Sequence, residues 1–82
     1  MDLIKLTEDI VLSIVEDKNM VAVKEFETEN EKEILIQILV AEKDMAQVIG
    51  KNGRTINAIK TIVQASSFTK DNKQVKINID SI

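Results

Sequence analysis

The chain has 82 residues, a formal net charge of −3 at pH 7, and neither cysteine nor histidine. This length predicts a single domain spanning residues 1–82, and the missing thiols and imidazoles exclude disulfides and argue against a zinc site. No apolar run approaches the about 18 residues that a membrane-spanning helix needs, and no signal-peptide pattern is present. The sequence therefore predicts a cytoplasmic protein with no membrane contact.

The charge is distributed unevenly along the chain. Residues 1–42 contain eleven acidic residues and four lysines, whereas residues 43–82 contain three acidic residues and seven basic ones. The overall acidity argues against nucleic-acid binding, because such domains usually carry a basic surface. The net charge of the second part is nevertheless positive, so a polyanion can approach that side of the molecule.

The first elements predicted in chain order are a helix and a short strand. Asp2 is a good N-cap for a helix that ends at residues 17–19, and residues 21–26 have the high β-propensity of a strand. Residues 27–33 are a charged run typical of a solvated hairpin loop. The predicted helix has a broad apolar stripe, formed by Leu3, Leu6, Ile10, Val11, Ile14 and Val15.

Residues 34–40 are apolar on both faces, which predicts a strand at the centre of its sheet. Leu35 and Leu39 share one of these faces, and they indicate either a self-association surface or scattered surface leucines. Glu42 and Asp44 stand at the start of the next, short helix, where the helix dipole stabilises acidic side chains. Gly50 ends that helix.

A longer helix follows, then a turn at residues 70–73 and a strand at residues 75–79 that alternates apolar and polar residues. We expect both aromatic residues, Phe26 and Phe68, in the core. The order αββααβ predicts an α+β fold. Its three-stranded mixed sheet has a central second strand, an antiparallel first strand and a parallel third strand, with three helices covering one face. The predicted buried face of the long helix comprises Ile56, Ile59, Ile62, Val63 and Phe68.

The two glycines of the chain, Gly50 and Gly53, begin and end a four-residue turn between helices. Glycine lacks the Cβ atom that keeps a ligand away from the backbone, so a phosphate can come close to such a turn. The following helix is expected to offer free backbone N–H groups at Arg54, Thr55 and Ile56. Lys51 and Arg54 add positive charge, and we expect a clamp on a sugar-phosphate backbone.

Three apolar residues next to this turn, Met45, Ile49 and Ile56, could line a groove for the bases. A second interpretation is purely structural. In it the glycines only supply unusual backbone angles, and Lys51, Asn52 and Arg54 are ordinary exposed residues.

The pattern around the glycines is neither a Walker A loop nor a dinucleotide-binding fingerprint. No pair of acidic residues is spaced for catalysis, so the sequence does not predict an enzyme. Two other functions stay open at this point. The domain could be a protein-interaction or dimerisation module with secondary RNA contact, or a DNA-binding helix-turn-helix that reads DNA with residues 54–68.

Residues 48–59 contain an aliphatic-Ile-Gly-x-x-Gly core followed by Ile56 and Ile59, and they resemble the signature of the K-homology (KH) domain. The order αββααβ resembles the type II form of that fold. Nearly the whole chain is similar to the KhpA family of small bacterial RNA-binding proteins. The resemblance implies binding of about four nucleotides of single-stranded RNA. The implied contacts are Gly50, Lys51, Asn52, Gly53, Arg54 and Thr55.

The same resemblance implies a homodimer and, in several bacteria, a larger partner called KhpB or Jag. It also implies post-transcriptional regulation linked to growth, division and cell shape, with RNA chaperone activity, and it implies no cofactor and no metal. The chain has no tryptophan or tyrosine. Without an aromatic platform on which bases stack, we expect weak binding that depends on salt.

Overall fold

The computed structural model describes residues 2–82, and its elements follow the predicted order αββααβ. Two short 3₁₀ turns, Glu42–Asp44 and Lys51–Gly53, flank the second helix. The prediction of an α+β fold is confirmed. The elements are α1 (Leu3–Leu12), β1 (Val21–Glu27), β2 (Glu33–Val40), α2 (Met45–Ile49), α3 (Arg54–Lys70) and β3 (Gln74–Ser81).

The three strands form one mixed sheet in the order β1-β2-β3. β1 pairs antiparallel with β2, and β2 pairs parallel with β3. The register places Ile36 of β2 between Glu25 of β1 and Ile77 of β3. This confirms the central position predicted for the strand that is apolar on both faces.

The core lies between one face of the sheet and the helices. Every second residue of β2, from Ile34 to Val40, is buried on that face. The opposite face is open and carries the half-buried Leu35 and Leu39. The helices therefore cover one face of the sheet, as the sequence predicts. Their contributions to the core are Leu3 and Val11 from α1, Val48 from α2, and Ile59 and Val63 from α3.

Three large apolar side chains that were predicted to be buried lie at the surface. Phe26 is 47 % exposed, Ile62 48 % and Phe68 54 %. Phe26 is the register partner of Leu35, so it belongs to the open face of the sheet. Ile62 is rotated by about 100° from its buried neighbour Val63 and so leaves the inner side of α3.

The polar residue Ser67 takes the position on α3 that the predicted apolar face gave to Phe68. It is fully buried, and its hydroxyl donates to the Lys73 carbonyl oxygen at 2.8 Å. The inner row of α3 therefore repeats every four residues, with Ile59, Val63 and Ser67. The sequence predicted a buried face that is too wide.

α1 begins where predicted but ends early. The Asp2 carboxylate accepts a hydrogen bond from the Ile4 N–H at 2.9 Å, which confirms the N-cap. The helix ends at Leu12 instead of at residues 17–19. The N–H groups of Glu16 and Asp17, which the predicted helix would have used, donate instead to a distant partner, the carboxylate of Asp44.

Asp44 has a different role from the one its place before α2 suggested. Its side chain is 4 % exposed and makes no capping hydrogen bond to α2. Its two oxygens accept the Glu16 and Asp17 N–H groups at 3.0 and 3.1 Å. These hydrogen bonds lower the pKa of Asp44, and Lys43 and Lys18 lower it further against the effect of burial.

Because the pKa of Asp44 is lowered on folding, its contribution to stability is present above its ordinary value of 3.8 and is lost as the pH falls below that value. We expect the urea midpoint of the wild-type protein to fall more steeply between about pH 5 and about pH 3 than that of Asp44→Asn. The exposed Asp71→Asn is the control and should keep the wild-type slope. Equal slopes for all three proteins would contradict this role of Asp44.

Candidate nucleic-acid interface

The turn between α2 and α3 is built from backbone conformations that few residues adopt. Gly50, Asn52 and Gly53 have φ values of 78°, 58° and 77°. Glycine enters this region without steric cost, and asparagine enters it more readily than most residues. The sequence Gly-Lys-Asn-Gly therefore suits the turn at three of its four positions.

Gly50 is further restricted by a close neighbour. A Cβ atom at Gly50 would lie 2.8 Å from the backbone nitrogen and the Cβ of Thr55, and closer still to the Thr55 hydroxyl. At Gly53 a Cβ would make only ordinary contacts, the nearest being the Asn57 amide nitrogen at 3.6 Å. Gly50 is thus required for space and for conformation, and Gly53 for conformation alone.

The charged side chains of the turn are available to a ligand. Lys51, Asn52 and Arg54 are exposed, and Thr55 is half-buried against Gly50. Neither Lys51 nor Arg54 forms an ion pair within residues 2–82. Their charges are therefore not neutralised by the described part of the protein.

Several backbone N–H groups of the turn are already used inside it. The Gly50 N–H donates to the Ala46 carbonyl oxygen at 2.9 Å, and the Gly53 N–H donates to the Gly50 carbonyl oxygen at 3.1 Å. The Arg54 N–H donates to the carbonyl oxygen of Lys51. The expectation of a free N–H at Arg54 is therefore wrong, because the 3₁₀ turn uses it.

The three residues predicted to line a groove flank the turn. Met45 and Ile49 are one helical turn apart on α2, and Ile56 lies in the first turn of α3. All three are half-buried, and Met45 and Ile56 pack against the core. α2 contacts α3, and Val48 of α2 is fully buried. The groove residues thus keep part of their apolar surface accessible beside the turn.

One surface was missed by the sequence analysis. Its residues are spaced so that they share the side of α3 that faces away from Ile59 and Val63, and none of them is charged. The signal was in Ile62 and Phe68, which the sequence analysis assigned to the buried face of the helix. We call this surface the outer face of α3, and it comprises Ala58, Thr61, Ile62, Ala65, Phe68 and Thr69.

Two other kinds of feature are absent from residues 2–82. No helix in that range is long and apolar enough to cross a membrane. The same residues contain no group of three or more acidic side chains placed to hold a metal ion.

Comparison with known proteins identifies relatives over nearly the whole chain. The family described as "KhpA/KhpB, KH domain" matches residues 4–79. The proteins named RNA-binding protein KhpA from Clostridium acetobutylicum and Thermotoga maritima are each 39 % identical over 75 residues, which is 92 % of this chain. The match covers 96 % of the first relative and 95 % of the second.

Solved structures share the fold at low sequence identity. The crystal structure of Era in complex with MgGDPNP and nucleotides 1506–1542 of 16S ribosomal RNA superposes with a TM-score of 0.69 and 18 % identity. The match covers 96 % of this chain and 29 % of that longer chain. A structure of Aquifex aeolicus Era bound to GDP and aluminium fluoride gives a TM-score of 0.68, again at 18 % identity.

The two glycines of the turn should differ in their tolerance of alanine. Gly53→Ala should cost about 1–2 kcal/mol of unfolding free energy, because only the left-handed conformation is strained. Gly50→Ala should cost more than about 2 kcal/mol, because its backbone conformation is essentially restricted to glycine and the added Cβ also meets Thr55. Urea denaturation of both variants measures the difference. Equal costs, or a larger cost at Gly53, would contradict the contact between Gly50 and Thr55.

Proposed function

Because the chain belongs to the KhpA/KhpB KH-domain family, we propose that it grips the backbone of about four nucleotides of single-stranded RNA with Gly50, Lys51, Asn52 and Gly53. It is an RNA-binding family and not an enzyme family. The observation that carries the proposal is the pair of exposed cations, Lys51 and Arg54, which have no ion-pair partner in residues 2–82 and lie within and directly after the glycine turn.

In this mechanism side chains make most of the contacts with phosphate. The N–H groups of Gly50, Gly53 and Arg54 are used within the protein. Phosphate oxygens would therefore be bound chiefly by the Lys51 ammonium, the Arg54 guanidinium and the Asn52 amide. A guanidinium can bind two phosphate oxygens at once, which fixes the orientation of the strand as well as its position.

The bases would lie against the aliphatic side chains of Met45, Ile49 and Ile56. Stacking is not available there, because the two aromatic residues of the chain are remote from the turn. Phe26 is on the open face of the sheet, and Phe68 is about 20 Å along α3 from Arg54. Phosphate contacts then set most of the affinity, and the aliphatic groove sets the modest preference among bases.

Replacing Lys51 and Asn52 together by aspartate should weaken RNA binding at least about tenfold, because it removes two of the three proposed phosphate-binding side chains, one of them a cation, and adds two negative charges. With two or three phosphates contacted, the wild-type logarithm of affinity should fall with the logarithm of salt concentration with a slope of about −2. The slope of the variant should be closer to zero. Fluorescence anisotropy with a short labelled single-stranded RNA measures both, and the same sequence as DNA serves as competitor.

A matched control is available in Lys24→Asp combined with Asn72→Asp. It makes the same change of charge at an exposed lysine of β1 and at an asparagine that also has a positive φ, 54°. This control should bind RNA as the wild type does, apart from a small general loss. Equal losses in the two double variants would contradict the clamp, as would a wild-type affinity that does not depend on salt.

We also propose that two copies associate, and the exposed apolar residues suggest where. The outer face of α3 offers Ile62 and Phe68 with Ala65 between them, and small residues let two helices approach closely. The open face of the sheet offers Leu35, Leu39 and Phe26, but charged residues such as Lys24, Lys76 and Asp80 lie among them. We favour the outer face of α3, because charged side chains are depleted at the centre of protein interfaces.

Ile62→Glu should therefore shift the dimer towards monomer at concentrations where the wild type is dimeric, because it places a charge in a desolvated interface. Leu39→Glu is the matched control on the open face of the sheet. Sedimentation equilibrium of the three proteins distinguishes the surfaces. Dissociation by Leu39→Glu alone would assign the dimer to the sheet, and an unchanged dimer in both variants would contradict both assignments.

The outer face of α3 also favours the second candidate function, a protein-interaction module in which RNA contact is secondary. Under that alternative Ile62→Glu abolishes activity in the cell while RNA binding by the monomer persists. The wider role that we propose is post-transcriptional regulation linked to growth and division, including RNA chaperone activity, in the cytoplasm where bacterial transcripts are found. Residues 1–82 would act as one KH domain, alone or with a KhpB/Jag partner.

A further inference from the structure

Asp44 is the acidic residue whose surroundings differ most from those of a surface carboxylate. It is almost fully buried, although it belongs to a 3₁₀ turn of three residues. Its oxygens bind two successive backbone N–H groups, those of Glu16 and Asp17, at 3.0 and 3.1 Å. The carboxylate therefore connects the segment after α1 with the segment before α2. Asp44 lies 28 residues after Glu16 and 27 residues after Asp17 in the chain.

The position of this tie matters for the candidate interface. Asp44 is followed directly by α2, and Gly50 follows α2. A helix of five residues is too short to be stable by itself, so its position depends on what holds its ends. α3 and the contact between Gly50 and Thr55 hold the far end. The near end is held by Asp44, and Val48 anchors the middle of α2 in the core.

We propose that Asp44 is a positioning residue for the RNA clamp: by anchoring α2 to the backbone of Glu16 and Asp17, it fixes where Gly50, Lys51 and Asn52 stand relative to α3. The inference rests on the function proposed above. Asp44 itself does not reach RNA, since its side chain is buried. It acts through α2, which also carries the groove residues Met45 and Ile49.

The test is Asp44→Asn, which keeps the size of the side chain but leaves one of the two backbone N–H groups facing an amide that cannot accept its hydrogen bond. RNA affinity should fall about threefold to tenfold, because part of the binding free energy is then used to order the turn. Anisotropy with the short RNA used above measures affinity under conditions where circular dichroism reports a fully folded protein. NMR relaxation of the backbone N–H groups from Gly50 to Gly53 should show increased motion.

The matched control is Ser67→Ala, which removes another buried hydrogen bond at the opposite end of α3. It should lower stability and leave both RNA affinity and the relaxation of the turn unchanged. If Asp44→Asn does not fold, Asp44→Glu keeps the charge and both acceptors while moving the anchor by one methylene, and the same shifts are expected from it. Wild-type affinity and relaxation in the folded Asp44 variant would overturn the proposal, and so would equal changes in Ser67→Ala.

This design separates the positioning role from the proposed function. If the wild-type protein binds no RNA, the function proposed above fails. NMR relaxation of the backbone N–H groups from Gly50 to Gly53, measured without RNA, then tests the positioning role. Increased motion in the Asp44 variant alone supports the anchor, and unchanged motion overturns it.

Discussion

The contact between Gly50 and Thr55 is the constraint on which the arrangement of the helices depends. The chain must reverse sharply there, because Val48 of α2 and Ile59 and Val63 of α3 are all buried in the same core. A side chain at Gly50 would push Thr55 and the start of α3 away from α2. Glycine at position 50 is therefore the residue that lets α2 and α3 close over their shared core.

Buried and exposed charged residues also differ in their partners. Asp44 is turned inward, and its charge is stabilised by backbone N–H groups and does not face the turn. Glu33 lies far from the turn, beside Lys76, with 3.5 Å between their charged atoms. Lys51 and Arg54 are left without partners in residues 2–82. An acidic protein can thus present a local positive surface.

Most of the fold was predictable, because local patterns determine it. The apolar residues on both faces of β2 predicted its central place, and the two glycines predicted the turn. The hydrogen bonds of Asp44 with Glu16 and Asp17 were not predictable, since they join segments that share no pattern. Ile62 and Phe68 show a second limit of prediction from sequence. Apolar residues at helical spacing indicate a hydrophobic face of a helix, but they do not indicate whether the same chain buries that face.

The parallel pairing of β2 with β3 also determines when the turn between α2 and α3 can be positioned. Residues 41–73, which include α2, the turn and α3, all lie between these two strands in the chain. Closing so long a loop is entropically costly and slows folding. A nascent chain in which β3 has not yet docked therefore lacks the support that positions the turn. With no proline in the sequence, no slow prolyl isomerisation delays the docking of β3 that positions the turn.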